Sequence, residues 1–383
     1  MRPFFLLLFL IFSGLKLIPG SVSLSLFDLF ALFFIIYFFM NNKLTIVWPK
    51  IISVLVIGIL CIQLISVILY QPTITKFIFA IRFVEYFLIL FVGCFYFLRR
   101  EDIYKPLLAY YYLIVLLFFF PIIPFYEHGL FNYSWEAPAI VSILALYFLV
   151  TPGLRIVKVS TIICALVLIY LSGQRTPAIA LIITLAIYFW NTFSYWRKAF
   201  LVIMLTPILF VAGTYADTRL FITFYDVIDI SNVNAMFEFM SQVDVNSVDY
   251  DTFVHGSRSL MDDGDLSLQL RLRKWSYALT SQLENGHTFL VGLGAGFFGG
   301  AADSSWLRVY FETGLIGLLL WSLYFRQAFR LQSSVITYVT ICFLLNGAFI
   351  DTLFSSRIFP LYLLILGSYL GSRHIIFHAR QRI

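Results

Sequence analysis

Apolar runs of roughly 15 to 22 residues recur along this chain, close to the ~20 a helix needs to cross the hydrocarbon core of a membrane. A backbone in lipid must satisfy its polar groups internally, so such a chain has two choices, bundled helices or a closed barrel. A barrel strand alternates polarity to suit lipid outside and lumen inside, which these continuous runs do not. The chain is 61% hydrophobic and 12% charged, with a mean hydropathy of +0.92. An average soluble domain is about half apolar and about a quarter charged. The expected fold is an all-α polytopic membrane protein.

Twelve spans are expected, at 3–19, 22–40, 50–70, 77–98, 106–125, 136–151, 156–172, 176–192, 198–213, 305–325, 333–350 and 358–372. Alternate connections carry Lys43 and Lys50, Arg99, Arg100 and Lys105, Arg155 and Lys158, Arg197 and Lys198, then Arg326 and Arg330. Excess Lys and Arg marks cytoplasmic loops, so these define one side, shared by Arg2 and by the tail with Arg373, Arg380 and Arg382. Both termini are therefore expected inside. The first run follows Arg2 as a signal peptide would, but Lys16 stands where a cleavage region is small and neutral, so it is expected to be retained. Its removal would leave every later loop on the same side.

One connection differs from the rest. Residues 214–304 form a 91-residue outer loop with twelve acidic and five basic residues, dividing the chain into 1–213 (spans one to nine), the loop, and 305–383 (spans ten to twelve with a cytoplasmic tail). Its first half, from Asp226 to Asp265, is acidic and rich in Asn and Ser and is expected to be irregular. From Leu268 to Leu283 apolar residues recur at helical spacing around Arg271, Arg273 and Lys274, predicting an amphipathic helix near the membrane surface.

Ionisable residues inside spans are costly to bury and so mark function by default. Asp28, Arg82, Glu85 and Arg308 lie toward the outer ends of spans, and Glu136, Arg175, Asp303 and Arg357 sit at the outer boundary. None forms a relay across the bilayer, which counts against a pump. Three spans re-enter with capping chemistry: Ser134 ahead of Glu136 and Pro138, Thr176 ahead of Pro177, and Asp303 with Ser304 ahead of Trp306. Helix N-termini present free amides and partial positive charge to anions. Arg175 beside such an end suits a pyrophosphate in bidentate fashion, or snorkels to headgroups; the residues leave both open. Arg271 and Arg273 read either as a phosphate clamp or as a basic face on anionic lipid. Arg82 and Glu85, three apart, neutralise one another on one helix face. Glu136 is a general base or a carboxylate favoured by the helix dipole.

Gly294, Gly296 and Gly299 spell a dinucleotide fingerprint, but that motif needs a preceding strand and a βαβ unit. Here the glycines instead let the backbone turn tightly or approach a ligand closely. His128, His255 and His287 lack metal-ligand spacing, so no metal is expected. Cys61, Cys94, Cys164 and Cys342 fall inside apolar runs and read as core residues.

Three stretches together resemble the O-antigen polymerase (Wzy-type) family and the related O-antigen ligases. They are Trp135-Glu136-Ala137-Pro138, then Leu171-Ser172-Gly173-Gln174-Arg175-Thr176, then Arg271-Leu272-Arg273-Lys274-Trp275 through Gly292-Leu293-Gly294 and Asp303-Ser304-Ser305-Trp306-Leu307 to Glu312-Thr313-Gly314-Leu315-Ile316-Gly317. Their order and spacing between residues 130 and 325, with one large late loop, carry the likeness. The resemblance implies transfer of a saccharide from a polyprenyl pyrophosphate carrier to an acceptor sugar, without nucleotide sugar, cofactor or metal. By position, Arg175 carries over first and Arg271 or Arg273 second, neutralising the departing pyrophosphate. Glu136 and Asp303 are the candidate bases. Arg82, Thr176, Arg308, Gly294 and Gly296 are the expected substrate contacts. Ligases show His-Asn where this chain has Asp303-Ser304, which favours polymerase.

The implied partners are the lipid-linked glycan, membrane lipid, a chain-length regulator and a flippase, with no nucleic acid. The rival readings are a glycan ligase, and a flippase or transporter of lipid-linked oligosaccharide. The nine-and-three division does not suit the related halves of many transporters. A chain-length regulator or scaffold would show two spans and a coiled coil.

Overall fold

The computed structural model describes residues 10, 50–70, 72–96, 100–119, 134–194, 237–241, 250–255, 266–299 and 302–380, and among them there is no strand. The helices are α1 (Lys50–Leu69), α2 (Ile74–Tyr96), α3 (Arg100–Phe119), α4 (Glu136–Val150), α5 (Arg155–Ser172), α6 (Arg175–Thr192), α7 (Tyr250–His255), α8 (Leu266–Glu284), α9 (Thr288–Val291), α10 (Ser305–Arg330), α11 (Ser334–Gly347) and α12 (Ile358–Arg380). The spans expected at 3–19 (apart from Leu10), 22–40 and 198–213, Asp28, and most of the loop's acidic half lie outside the described residues.

Helices stand where the other apolar runs predicted them, with ends displaced by a few residues. α3 begins earlier than expected, at Arg100, and runs through Pro106. Among the described residues, α1, Ile74–Cys94 of α2, and α5 are long and apolar enough to cross a membrane. α4 and α11 are apolar but shorter. At ~1.5 Å per residue, the 15 residues of α4 cover less than the ~30 Å of a hydrocarbon core.

Burial sorts these helices into a centre and a rim. α4 is apolar on every face and buried on every face from Glu136 to Phe148, and α11 and α12 lie in the same core. By contrast, α1 leaves Ile51, Val54, Ile57, Ile65 and Ile68 exposed, and α5 leaves Ile156, Val159, Ile163 and Tyr170 exposed. Continuous apolar faces of this extent are what lipid covers and water does not. α2 and α12 touch backbone to backbone: a Cβ at Gly93 would meet Leu364 O at 2.7 Å and the Gly367 Cα at 3.1 Å. Small residues permit that approach, which is how helices associate where no hydrophobic drive separates protein from lipid.

α10 is broken. Gly314 has φ 65° and ψ −167° inside it, a conformation essentially restricted to glycine. The break frees the carbonyls that residues 315 and 316 would otherwise have bonded. Phe311 O accepts from the Leu293 N–H at 2.7 Å and Glu312 O from the Gly294 N–H at 3.1 Å. The contact is reciprocal, since a Cβ on Gly292 would strike the Glu312 backbone and one on Gly314 the Leu290 carbonyl. Irregular backbone inside a helix bundle is tolerated where protein supplies the missing bonds. The sequence reading took this span as continuous.

The described part of the large loop shares a small core with the end of α1 and with α10. Tyr70, Ala278, Leu293, Phe298, Ala302 and Phe311 cluster there, with Tyr250 and Trp275 against them. Tyr250 of α7 meets Tyr277 edge-on at 5.6 Å and lies 5.6 Å from Phe297. The acidic half of the loop, expected to be irregular, thus contributes at least the short helix α7, whose aromatics find partners on α8. α8 lies where the amphipathic helix was predicted.

Candidate functional site

The turn of residues 351–357, between α11 and α12, joins two buried ionic groups at one end of the bundle. In the first, Arg308, one turn into α10, is almost fully buried. Its Nε donates to Glu312 Oε1 at 2.9 Å and its Nη1 to Asp351 Oδ2 at 3.2 Å. Its guanidinium carbon lies 4.2 Å from the centre of the Phe354 ring. The expected substrate contact Arg308 therefore directs these donors at protein carboxylates. A buried charge is tolerable only when paired and hydrogen-bonded, and here one cation serves two anions. Asp351 Oδ1 is buried without a hydrogen bond. Burial pushes the Asp351 carboxyl above the ordinary aspartate range; Arg308 opposes the shift and Asp303 adds to it.

Asp351 reaches further. Its Oδ2 accepts from the Ala302 N–H at 2.6 Å, and Ala302 O accepts from the Trp275 indole N–H at 3.1 Å. These bonds clamp the residue before Asp303, which has φ 62°. A left-handed conformation costs a non-glycine residue about 1 to 2 kcal/mol, and persists where the surroundings over-determine it. Ser304 then caps α10, its Oγ accepting from the Leu307 N–H at 3.4 Å. Asp303 in this turn faces α8: Lys274 Nζ lies 2.9 Å and Arg271 Nε 4.0 Å from its Oδ2. Asp303 remains about a quarter exposed, at 26% of its side chain.

Arg273 is placed differently. Its guanidinium carbon lies 4.9 Å from the centre of the Phe239 ring, and its Nε has no hydrogen bond. Among the described residues no carboxylate pairs with it, and partial burial lowers its very high pKa without threatening its charge. Arg271 and Lys274, three apart, thus share the face of α8 that meets Asp303, which engages Lys274 closely and Arg271 loosely, while Arg273 lies on another face, against Phe239.

In the second group, Glu136 is the first residue of α4 and has no exposed surface. Its Oε1 accepts from Ser355 Oγ at 2.8 Å and its Oε2 from Arg357 Nη1 at 3.2 Å. Both carboxylate oxygens are engaged and sealed from solvent, whereas Asp303 is partly exposed. Gln174 Nε2, 3.2 Å from Ser134 Oγ, ties the start of α6 to the turn before α4. Arg175 is the first residue of α6 and half-buried, with Thr176 next to it.

Two expected caps are corrected. Trp135, not Ser134, precedes α4, and it makes no side-chain cap bond. Thr176 lies inside α6, which starts after Gln174 because Gly173, at φ 65°, ends α5 abruptly. Ser172 Oγ instead accepts from the Gln174 N–H at 3.4 Å.

Gly294 packs against α1 and Gly296 against α2, the helix that carries Arg82. A Cβ on Gly294 would meet Ser66 O and Val67 Cα at 3.4 Å, and one on Gly296 would meet the Phe79 ring at 2.6 Å. The Gly296 amide also interacts with the Glu312 carboxylate. Arg82 lies 5.8 Å from the centre of the same Phe79 ring. Close approach is therefore what these glycines provide, to protein on the sides a Cβ would occupy.

Asp351, Ser355 and the pairing role of Arg357 escaped the sequence reading. The available signal was an acid and a base crowded into a short connection between two apolar runs. Among the described residues no group of His, Cys, Asp and Glu side chains is arranged to hold a metal ion. Neither a known protein family nor a curated protein matches the chain.

Proposed function

We propose that this chain is a membrane-embedded glycosyltransferase that joins polyprenyl-pyrophosphate-linked repeat units on the outer face of a bacterial inner membrane. In this reading twelve spans cross the bilayer, both termini are cytoplasmic, and the 214–304 loop is periplasmic. The observation that carries it is the pair of cations Arg271 and Lys274 on one face of α8, beside the partly exposed Asp303. Anion-binding and proton-accepting groups then stand together, next to a surface suited to lipid. The order of motifs resembling O-antigen polymerases and the basic alternate loops support the same reading.

The chemistry needs little else. An acceptor hydroxyl oxygen attacks the anomeric carbon, the carbon–oxygen bond to pyrophosphate breaks with its electron pair leaving on the phosphate oxygen, and the hydroxyl proton passes to a carboxylate. That last role is assigned to Asp303, which is partly exposed. Guanidinium groups of Arg271, Arg273 and Arg175 neutralise the charge that grows on the leaving group, where preorganised donors act most strongly. Arg308 and Glu136 are assigned to holding the site together.

The test is deletion of the gene in its own host, followed by wild type or Arg175→Ala at matched membrane abundance and electrophoresis of the surface glycan. A ladder restored by wild type, with single repeats in the variant, supports polymerisation through Arg175. Finished glycan accumulating on its carrier identifies a ligase instead, and an unchanged ladder removes Arg175 from the mechanism.

A further inference from the structure

We infer that Asp351 is a positioning residue for Arg271 and Lys274 of α8, acting through the Ala302–Asp303 turn. This rests on the reading above that Arg271 contacts a pyrophosphate.

The path is short and each link is a direct contact. Asp351 Oδ2 holds the Ala302 amide at 2.6 Å, and Trp275 of α8 holds the Ala302 carbonyl at 3.1 Å. Ala302 is thereby fixed from both sides, by the turn after α11 and by α8 itself. The next residue, Asp303, is held at φ 62° and delivers its carboxylate to Lys274 at 2.9 Å and Arg271 at 4.0 Å. Without the clamp, an aspartate relaxes toward negative φ, since only local constraint keeps a non-glycine residue in the left-handed region. Its carboxylate then swings away from α8, and Arg271 and Lys274 lose the partner that orients them.

Asp351 also receives Arg308 at 3.2 Å, so the turn is referenced to the rigid, broken helix α10. Such support explains why a buried carboxylate is retained where an apolar residue would be easier to bury. The neutral part of its role, accepting from Ala302, survives in an asparagine; an alanine loses it.

The test uses the full chain purified in detergent and binding of a short-chain isoprenyl pyrophosphate. Asp351→Ala is expected to weaken binding about tenfold, the scale of one misplaced charge-assisted contact. Asp351→Asn is expected to bind nearly as wild type. In a background of Arg271→Ala, Asp351→Ala is expected to add little, because residues acting along one path are not additive. A residue with only a structural role would show full additivity and no asparagine rescue. Should Asp351→Ala fail to fold by thermal unfolding, Trp275→Phe removes the opposite bond to Ala302 and is expected to weaken binding in the same direction.

The outcomes separate two failures. If Arg271→Ala weakens binding while Asp351→Ala, or Trp275→Phe in its place, does not, the positioning role is overturned and the functional reading stands. Additive losses overturn it too. If Arg271→Ala binds as wild type, or wild type does not bind the probe, the functional reading fails and this inference with it.

Discussion

Arg357 Nη1 lies 3.2 Å from Glu136 Oε2, joining the start of α12 to the start of α4 across more than two hundred residues of chain. Both side chains are almost fully removed from solvent. Removing one member of such a pair strands the other charge, at a cost of about 3 to 5 kcal/mol, whereas apolar replacement of both is often near neutral. Arg357→Met and Glu136→Leu are each expected to lower the thermal midpoint in detergent sharply, and the double variant to recover much of the loss. A double variant as unstable as the sum of the singles would show that the pair is not the source of the effect.

The break in α10 makes a second prediction. Gly314→Ala places a Cβ against the Leu290 carbonyl in a backbone region that alanine avoids. Gly299, at φ 61°, has open space where a Cβ would go. Gly299→Ala is expected to cost only the conformational part, about 1 kcal/mol, and Gly314→Ala clearly more. Comparing their unfolding midpoints measures the clash and the glycine-only backbone of Gly314 together, over the ordinary cost of a left-handed residue, and equal losses would mean that neither holds.

Much of this arrangement was legible in the sequence, and the missing parts have a common cause. Apolar run length located the helices because each is a local property, and the positive-φ glycines at 292, 294 and 296 were legible as a turning loop. The caps at Ser134 and Thr176 were misjudged because Gly173 and Trp135 set the helix starts by conformations that side-chain chemistry alone does not announce. Asp351 was invisible as a site residue because its meaning lies in Ala302 and Arg308, some 49 and 43 residues away. The break at Gly314 needed Leu293 and Gly294 to accommodate the freed carbonyls, again a tertiary matter. Glu136 showed its alternatives in the sequence, and its sealed surroundings now favour the structural one.

Arg273 offers a clean separation of stability from activity. It stacks on Phe239 and has no carboxylate partner among the described residues. Arg273→Ala is expected to change stability by no more than about 0.5 to 1 kcal/mol, the range of surface and exposed cation–π contacts. The surface glycan ladder is nevertheless expected to shorten or disappear at matched abundance, if the residue meets the pyrophosphate. Arg273→Lys retains the charge but loses planar, bidentate recognition, so its ladder is expected to be intermediate. A normal ladder from Arg273→Ala would leave Arg271 as the functional arginine of α8.

The Asp351 carboxyl predicts a pH dependence whose sign is set by its environment. Burial raises its folded pKa above the ordinary value, against the pull of Arg308. A group whose folded pKa is raised stabilises the fold when protonated. Its contribution is fully present below the unfolded aspartate value of about 3.9, and is lost as pH rises through the higher folded value. The groups facing it are Arg308 and Glu312 on α10 and Asp303 in the turn before it, and Asp351→Asn leaves all three in place. The stability of wild type relative to Asp351→Asn, followed by chemical unfolding in detergent, is therefore expected to fall with rising pH in the acidic range and then level off. A relative stability that rises instead would mean that Arg308 outweighs burial, making the pair a net stabiliser in its ionised form.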